Sequence, residues 1–250
     1  MAMVIGGGGA RFKKITPAYV KLNPEWIGLA SMGIPRYGGA MFIYNNVLYI
    51  VGGMARTGVT SAVEKIDLST LTRSYGASMP EPRAHFGFGL IGSKLYVLGG
   101  IDRGGMPKNT IYVYDIANDS WSTLSTTLPK NIAYCASAVL GSVIYIIGGI
   151  DDQGNILKGT YAFDTSSNTV STKASMNTAR QNHACAVLSN KIYCFGGDDG
   201  SNPLQSIEVY DPSTNTWTQL TNVQLPKGVT GLTALPITYQ GKNYILLLGG

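Results

Sequence analysis

One pattern constrains this chain more than any other: an apolar run ending in a glycine doublet, repeated five times. The copies are Tyr49-Ile50-Val51-Gly52-Gly53, Tyr96-Val97-Leu98-Gly99-Gly100, Tyr145-Ile146-Ile147-Gly148-Gly149, Tyr193-Cys194-Phe195-Gly196-Gly197 and Leu246-Leu247-Leu248-Gly249-Gly250. Successive doublets stand 47, 49, 48 and 53 residues apart. A fixed period of this length means stacked supersecondary units, none of which buries its hydrophobic surface alone.

Other columns keep the same register. An apolar or aromatic residue stands seven before a second position in Tyr19/Trp26, Ile66/Arg73, Tyr114/Trp121, Phe163/Val170 and Tyr210/Trp217. Asp67, Asp115, Asp164 and Asp211 lie beside the first member. Arg36, Arg83 and Arg180 precede their doublets by 16 residues, each with a methionine four residues earlier: Met32, Met79 and Met176.

Each copy reads as four short strands. In the fourth, Ala184–Leu188 and Lys191–Phe195 flank Ser189-Asn190, a two-residue hairpin signal. Ser206–Tyr210 and Trp217–Leu220 flank a second polar turn. Four antiparallel strands per period make a propeller blade, whose two faces are covered by its neighbours in a ring. Composition agrees. Charged residues are 13%, glycine reaches 32 residues, and 44% hydrophobic content is enough to fill a core. That balance disfavours helical bundles and disorder.

These features together resemble the kelch repeat: Gly-Gly, then Tyr, six residues and Trp, with a Met-x-x-x-Arg step before the next hairpin. The fullest copy is Gly196-Gly197-Asp198-Asp199-Gly200, Leu204, Ser206, Glu208, Tyr210, Asp211 and Trp217. The resemblance covers nearly the whole chain. It departs at Arg73 and Val170, which replace Trp, and at Ile132 and Thr233, which replace Arg. The expected fold is an all-β propeller of four-stranded antiparallel kelch-type blades, with 1–250 as one domain.

Counting hairpins sets the expected blade number. Inner hairpins fall at about 36–53, 83–100, 132–149, 180–197 and 229–250, and outer ones at about 15–30, 62–77, 110–124, 160–173 and 206–220. Pairing 15–30 with 229–250 closes a five-bladed ring from the two chain ends and removes free sheet edges. Residues 1–14 are then a flexible or partial segment. The rival is a fragment of a longer propeller, with Val4-Ile5-Gly6-Gly7 as the tail of another hairpin.

Up-and-down topology sends the inter-blade links and the loops after Gly-Gly to one face. That face is expected to carry Arg36, Tyr37, Arg83, His85, Lys130, Asn131, Arg180, Asn182 and His183, with Asp102, Asp151 and Asp199 from the loops. Variable loops on a rigid scaffold are the usual place for binding. By the resemblance, the three arginines look into the mouth of a pocket, where a planar fork suits carboxylate or phosphate. Equally, they could tie blade to blade through backbone carbonyls.

Acidic pairs Asp151/Asp152 and Asp198/Asp199 are the nearest approach to a cation site, but Asp before Gly is ordinary turn chemistry. His85 and His183 read as hydrogen-bonded rim histidines. Two histidines and three cysteines without CxxC spacing exclude the familiar zinc fingers. Counting outward from Ser189-Asn190 places Cys185 opposite Cys194. Both are expected as reduced, buried thiols, a bond forming only under oxidising conditions.

The leading expectation is a noncatalytic scaffold binding a protein or acidic peptide on the loop-rich face. The alternatives are a structural or host-interaction component of a virion or cell surface, and an enzyme resembling sugar isomerases or epimerases. No cofactor, nucleic acid or membrane insertion is expected. A net charge of +5 is modest and scattered, no apolar run reaches membrane length, and Met1–Ile5 is too short for a secretory segment. No helical adaptor domain of the kind that often precedes kelch domains is expected within these residues.

Overall fold

A computed structural model describes residues 3–6, 12–13 and 32–250. Strands β1 (Met3–Gly6) and β2 (Phe12–Lys13) come first. The first full copy holds β3 (Arg36–Tyr37), β4 (Ala40–Tyr44), β5 (Val47–Val51), β6 (Met54–Ala55), β7 (Gly58–Val59), β8 (Val63–Asp67) and β9 (Arg73–Gly76). The second holds β10 (Gly87–Ile91), β11 (Lys94–Leu98), β12 (Ile111–Asp115) and β13 (Ser120–Thr123). The third holds β14 (Ala136–Leu140), β15 (Val143–Ile147), β16 (Thr160–Asp164) and β17 (Thr169–Lys173). The fourth holds β18 (Ala184–Leu188), β19 (Lys191–Phe195), β20 (Ile207–Asp211) and β21 (Thr216–Gln219). The chain ends in β22 (Leu232–Tyr239) and β23 (Lys242–Gly249). The described residues contain no helix.

Four sheets run in simple antiparallel order: β4-β5-β8-β9, β10-β11-β12-β13, β14-β15-β16-β17 and β18-β19-β20-β21. A fifth has the order β2-β1-β23-β22, and β3-β6-β7 form a small three-stranded sheet. The residues seven apart in sequence face each other across the outer ladder, as Ile66↔Arg73, Tyr114↔Trp121, Phe163↔Val170 and Tyr210↔Trp217. The Tyr19/Trp26 pair lies outside the described residues.

The described N-terminal residues pair with the last strand. Hairpin 15–30 also lies outside the described residues, but the position beside β23 is taken by β1, with Val4 opposite Leu246 and Ile5 opposite Ile245. Residues 3–6 and 12–13 are therefore strands. The β-branched pair Val4-Ile5 suits a ladder position.

The chain forms two compact units. One contains Met1–Leu22, Tyr134–Ile150 and Gly154–Gly250; the other contains Asn23–Ala133 and Asp151–Gln153. In the second unit, Tyr49, Val51, Phe86, Val97 and Tyr114 belong to a core between its two four-stranded sheets. In the first, Ile147, Met176, Cys194 and Tyr210 belong to one core, and Phe195, Ile207, Ile245 and Leu247 to another.

The glycine doublet joins consecutive copies through the backbone. Gly53 N donates to Arg83 O, Gly100 N to Ile132 O, Gly149 N to Arg180 O and Gly197 N to Val229 O, all at 2.8–2.9 Å. The second glycine has no room for a side chain. A Cβ on Gly100 would lie 2.7 Å from Ala84 O, and one on Gly197 would lie 2.5 Å from Gln181 O. Two tryptophans add a second tie, donating from Nε1 of Trp121 to Ala77 O and of Trp217 to Ala174 O. The Asp column caps its turns: Asp67, Asp115, Asp164 and Asp211 accept backbone N–H groups two residues on.

Candidate functional site

The link before each first strand carries the arginine column inward. Arg36 Nη2 donates to Ile50 O at 3.0 Å and to Glu64 Oε2 at 2.8 Å. Arg180 Nη2 donates to Glu208 Oε1 at 2.7 Å and to Ser206 Oγ at 2.9 Å, while Nη1 reaches Gly196 O at 2.9 Å. Arg83 Nη2 donates to Glu81 Oε2, Thr110 Oγ1 and Tyr112 Oη, with its guanidinium 5.2 Å from the Tyr112 ring centre. All three side chains are buried. Desolvation lowers the proton affinity of Arg36 and Arg180, and the facing glutamates act against it.

These bonds stay within the incoming link and its own sheet, reaching the third strand at Glu64, Tyr112 and Glu208. The tie from copy to copy is made by backbone carbonyls of the same step, not by the guanidinium forks. The partner column is Glu64, Tyr112, Tyr161 and Glu208, two residues before the outer-ladder aromatic or apolar position. Sequence reading had not used it, though a signal existed. A glutamate inside an apolar strand occurs in two copies that carry the arginine, and the copy with Ile132 has Tyr161 instead. A charge buried in a strand needs a fixed partner.

A second column follows the arginine step. Gly38, His85, Tyr134 and Asn182 each stand 14 residues before their doublet, and with Gly231 all have positive φ, from 51° to 70°. His85 N donates to Gly38 O, Asn182 N to Tyr134 O and Gly231 N to Asn182 O, so this step passes a hydrogen bond from copy to copy. Left-handed geometry is uncommon for the three non-glycine residues. Gly38 could not carry a side chain, since its Cβ would lie 2.6 Å from His85 Cε1. The exposed Tyr37 ring meets His85 edge-on at 5.6 Å. Burial lowers the His85 pKa and favours neutral imidazole.

Lys130 and Asn131 join Asp151, Asp152 and Gln153 around an open polar cleft of about 320 Å³, with Asn109 and Pro129 completing its wall. Asn131 Nδ2 donates to Asp152 Oδ2 at 2.8 Å, and Lys130 Nζ lies 3.7 Å from Asp151 Oδ2. Lys130 and Asp152 are exposed, whereas Asp151 is buried. The other loop carboxylates close their own turns. Asp102 pairs with Lys108 at 2.7 Å and accepts Gly104 N and Met106 N. Asp199 accepts Ser201 N and Asn202 N. Those bonds hold both carboxyls below their usual range: the Lys108 hydrogen bond leads for Asp102 and the Asn202 N–H for Asp199. Asp198 accepts from Asn182 Nδ2, Gln181 Nε2 and Thr230 Oγ1.

Two expectations change here. His183 is not a hydrogen-bonded rim residue: it is buried, and neither ring nitrogen has a hydrogen-bond partner among the described residues. It lies between Asn182, whose left-handed φ turns the chain, and Ala184, where β18 begins. Cys185 does stand opposite Cys194, as the register requires, but the two are joined in a disulfide rather than left as thiols. Their Cα atoms are 4.1 Å apart, the close spacing of a non-hydrogen-bonded antiparallel pair.

Four-stranded antiparallel blades linked through a glycine doublet define a repeat protein of the β-propeller class. The family profile "KLHDC2/KLHL20/DRC7 Kelch-repeats domain" matches residues 23–168 and 90–250, and the chain belongs to the kelch-repeat family. It is 30% identical to human Kelch-like protein 34 over 250 residues, covering 93% of this chain and 37% of that protein. It is 32% identical to human Kelch-like protein 38, covering 80% of this chain and 34% of that one. An Arabidopsis thaliana protein named as a putative F-box/kelch-repeat protein, At3g27910, is 27% identical over 86% of this chain and 54% of its own length. The chain thus spans about a third of the two human relatives. The solved structure of YjhT shares the fold at a TM-score of 0.70 and 21% identity, over 82% of this chain and 71% of that one.

Proposed function

We propose that this chain is a noncatalytic scaffold that binds a protein partner through its loop-rich face. The observation that carries the reading is the internal use of the arginines. With Arg36, Arg83 and Arg180 bonded inside their own sheets, they hold the inter-blade links in place and leave the loops between them to meet a partner. Recognition then falls to Tyr37, His85 and the cleft of Lys130, Asn131 and Asp152. Affinity for an acidic peptide, expected of the arginine forks, passes to Lys130. Kelch-like and F-box/kelch-repeat proteins among the relatives are consistent with a role as the binding part of a larger protein.

The test is partner capture by the full chain, a combined Lys130→Ala/Asp152→Ala variant, and Lys94→Ala on the turn side. A partner held by the wild type and by Lys94→Ala, but lost from the cleft variant, supports the reading. Equal capture by all three overturns it. Turnover of a sugar substrate would favour the isomerase-like alternative, and a self-assembled particle the structural one.

A further inference from the structure

The fourth copy departs from the second at three linked positions. Phe86, Phe88 and Val97 of the second copy become His183, Cys185 and Cys194, each 97 residues later. The scaffold around both sets is the same. A Cβ on Gly100 would lie 2.7 Å from Phe86 Cβ, and one on Gly197 would lie 2.6 Å from His183 Cβ. A Cβ on Gly52 would meet Met79 Cε and Phe86 Cε1, and one on Gly148 would meet Met176 Cε and His183 Cε1. In the second copy this site is apolar, with Phe86 and Phe88 edge to face at 6.5 Å. The fold therefore does not require donor atoms here.

The fourth copy nevertheless supplies three. A His183 ring nitrogen and the Cys185 and Cys194 sulfurs lie within 4.8 Å of one another. His183 stands just before β18 and Cys185 within it, two positions on, and Cys194 is directly opposite Cys185. Both imidazole nitrogens are buried without a partner, a costly arrangement for a polar ring unless a ligand completes it.

We propose that, when the disulfide is reduced, His183, Cys185 and Cys194 form a site for a soft monovalent ion, Cu(I). A thiol- or phosphine-class reductant delivers two electrons. The Cys185–Cys194 bond breaks and each sulfur takes a proton, either from two thiols that leave as their disulfide or from a water molecule whose oxygen leaves in the phosphine oxide. Cu(I) then forms two Cu–S bonds and one Cu–N bond, and the two thiol protons go to solvent. Thiolate and imidazole donors beside the Met176 thioether are soft, which selects Cu(I) over hard cations. Three donors suit its low coordination number, whereas structural zinc takes four. In the oxidised chain the sulfurs are bonded to each other and the site is shut, so metal uptake reports thiol redox state.

The full chain is reduced with a phosphine, desalted without oxygen and titrated with Cu(I) held by bicinchoninate. The reduced chain should take one equivalent and the oxidised chain none. In the loaded chain Cys185 and Cys194 should resist iodoacetamide, read by mass spectrometry after digestion, while Cys135 keeps its metal-free reactivity. His183→Gln should weaken uptake at least tenfold, and Cys135→Ser should not change it. Circular dichroism of the reduced wild type checks that the blades persist without the bond. The proposal is overturned by unfolding on reduction, by equal uptake in both redox states, by uptake that depends on Cys135, or by uptake of Zn(II) in place of Cu(I).

Discussion

The second and fourth copies have the same four-stranded order and the same doublet, yet they handle polar groups differently. In the second, Arg83 pairs with Glu81, whose side chain is 62% exposed, and with the Tyr112 hydroxyl. In the fourth, Arg180 pairs with Glu208 and both side chains are fully buried. The second packs Phe86 where the fourth packs an unpartnered His183. Backbone architecture therefore tolerates either an apolar or a polar filling. What differs is the cost of disturbing it: an exposed carboxylate that loses its partner returns to water, and a buried one cannot.

The sharpest way to break the comparison is Arg180→Ala. It leaves Glu208 charged and buried, with only the Asn177 and Thr178 donors remaining. A loss of about 3–5 kcal/mol is expected in urea unfolding. Arg180→Met with Glu208→Leu should cost less than either single change, because no orphaned charge is left. Arg83→Ala should cost less as well, about 1–2 kcal/mol, from lost hydrogen bonds and packing. If Arg83→Ala proves as damaging as Arg180→Ala, exposure of the partner is not what separates the copies.

Exchanging the aromatic positions comes next. Phe86→His puts an unsatisfied imidazole into an apolar core and should destabilise by about 2–3 kcal/mol. His183→Phe should stabilise, by about 1 kcal/mol, provided the larger ring fits as Phe86 does. A loss on His183→Phe would show that the fourth site is shaped for imidazole.

The same pair sharpens the pH response. Burial, with Arg180 second, pushes the His183 pKa down to about 3. Below the ordinary value near 6.5 the unfolded chain binds a proton that the folded chain refuses, so stability falls as pH drops from about 6.5 toward 3. The slope from this residue is at most about 1.4 kcal/mol per pH unit. His85, also lowered by burial, adds a smaller contribution of the same sign. Thermal unfolding between pH 6.5 and 4 should show the decline in wild type and a shallower one in His183→Phe. An unchanged slope would assign the effect to other groups.

The smallest effect is expected at the exposed Lys191–Asp211 pair, 2.9 Å apart. Lys191→Ala should leave the melting temperature unchanged, because water and salt screen such pairs. A clear drop would mean that the fourth copy depends on its surface charges too.

Much of the blade was legible in the residues themselves. Period-two alternation and two-residue turns determine cross-strand neighbours locally, which is why Tyr114↔Trp121 and Cys185↔Cys194 follow from counting alone. The Gly-Gly spacing likewise locates every inner hairpin, because the close backbone approach admits only glycine. The candidate site was less legible. Arg36 and Glu64 are 28 residues apart, as are Arg180 and Glu208, and a linear pattern does not say whether an arginine at a loop points out to solvent or in to a carboxylate. That is decided by which neighbouring sheet covers it and how much water is excluded. The same holds for β1 beside β23, a pairing of residues more than two hundred positions apart. Local hydrogen bonding writes strands and turns into the sequence; burial is a property of everything packed around a residue, and only the tertiary structure decides it.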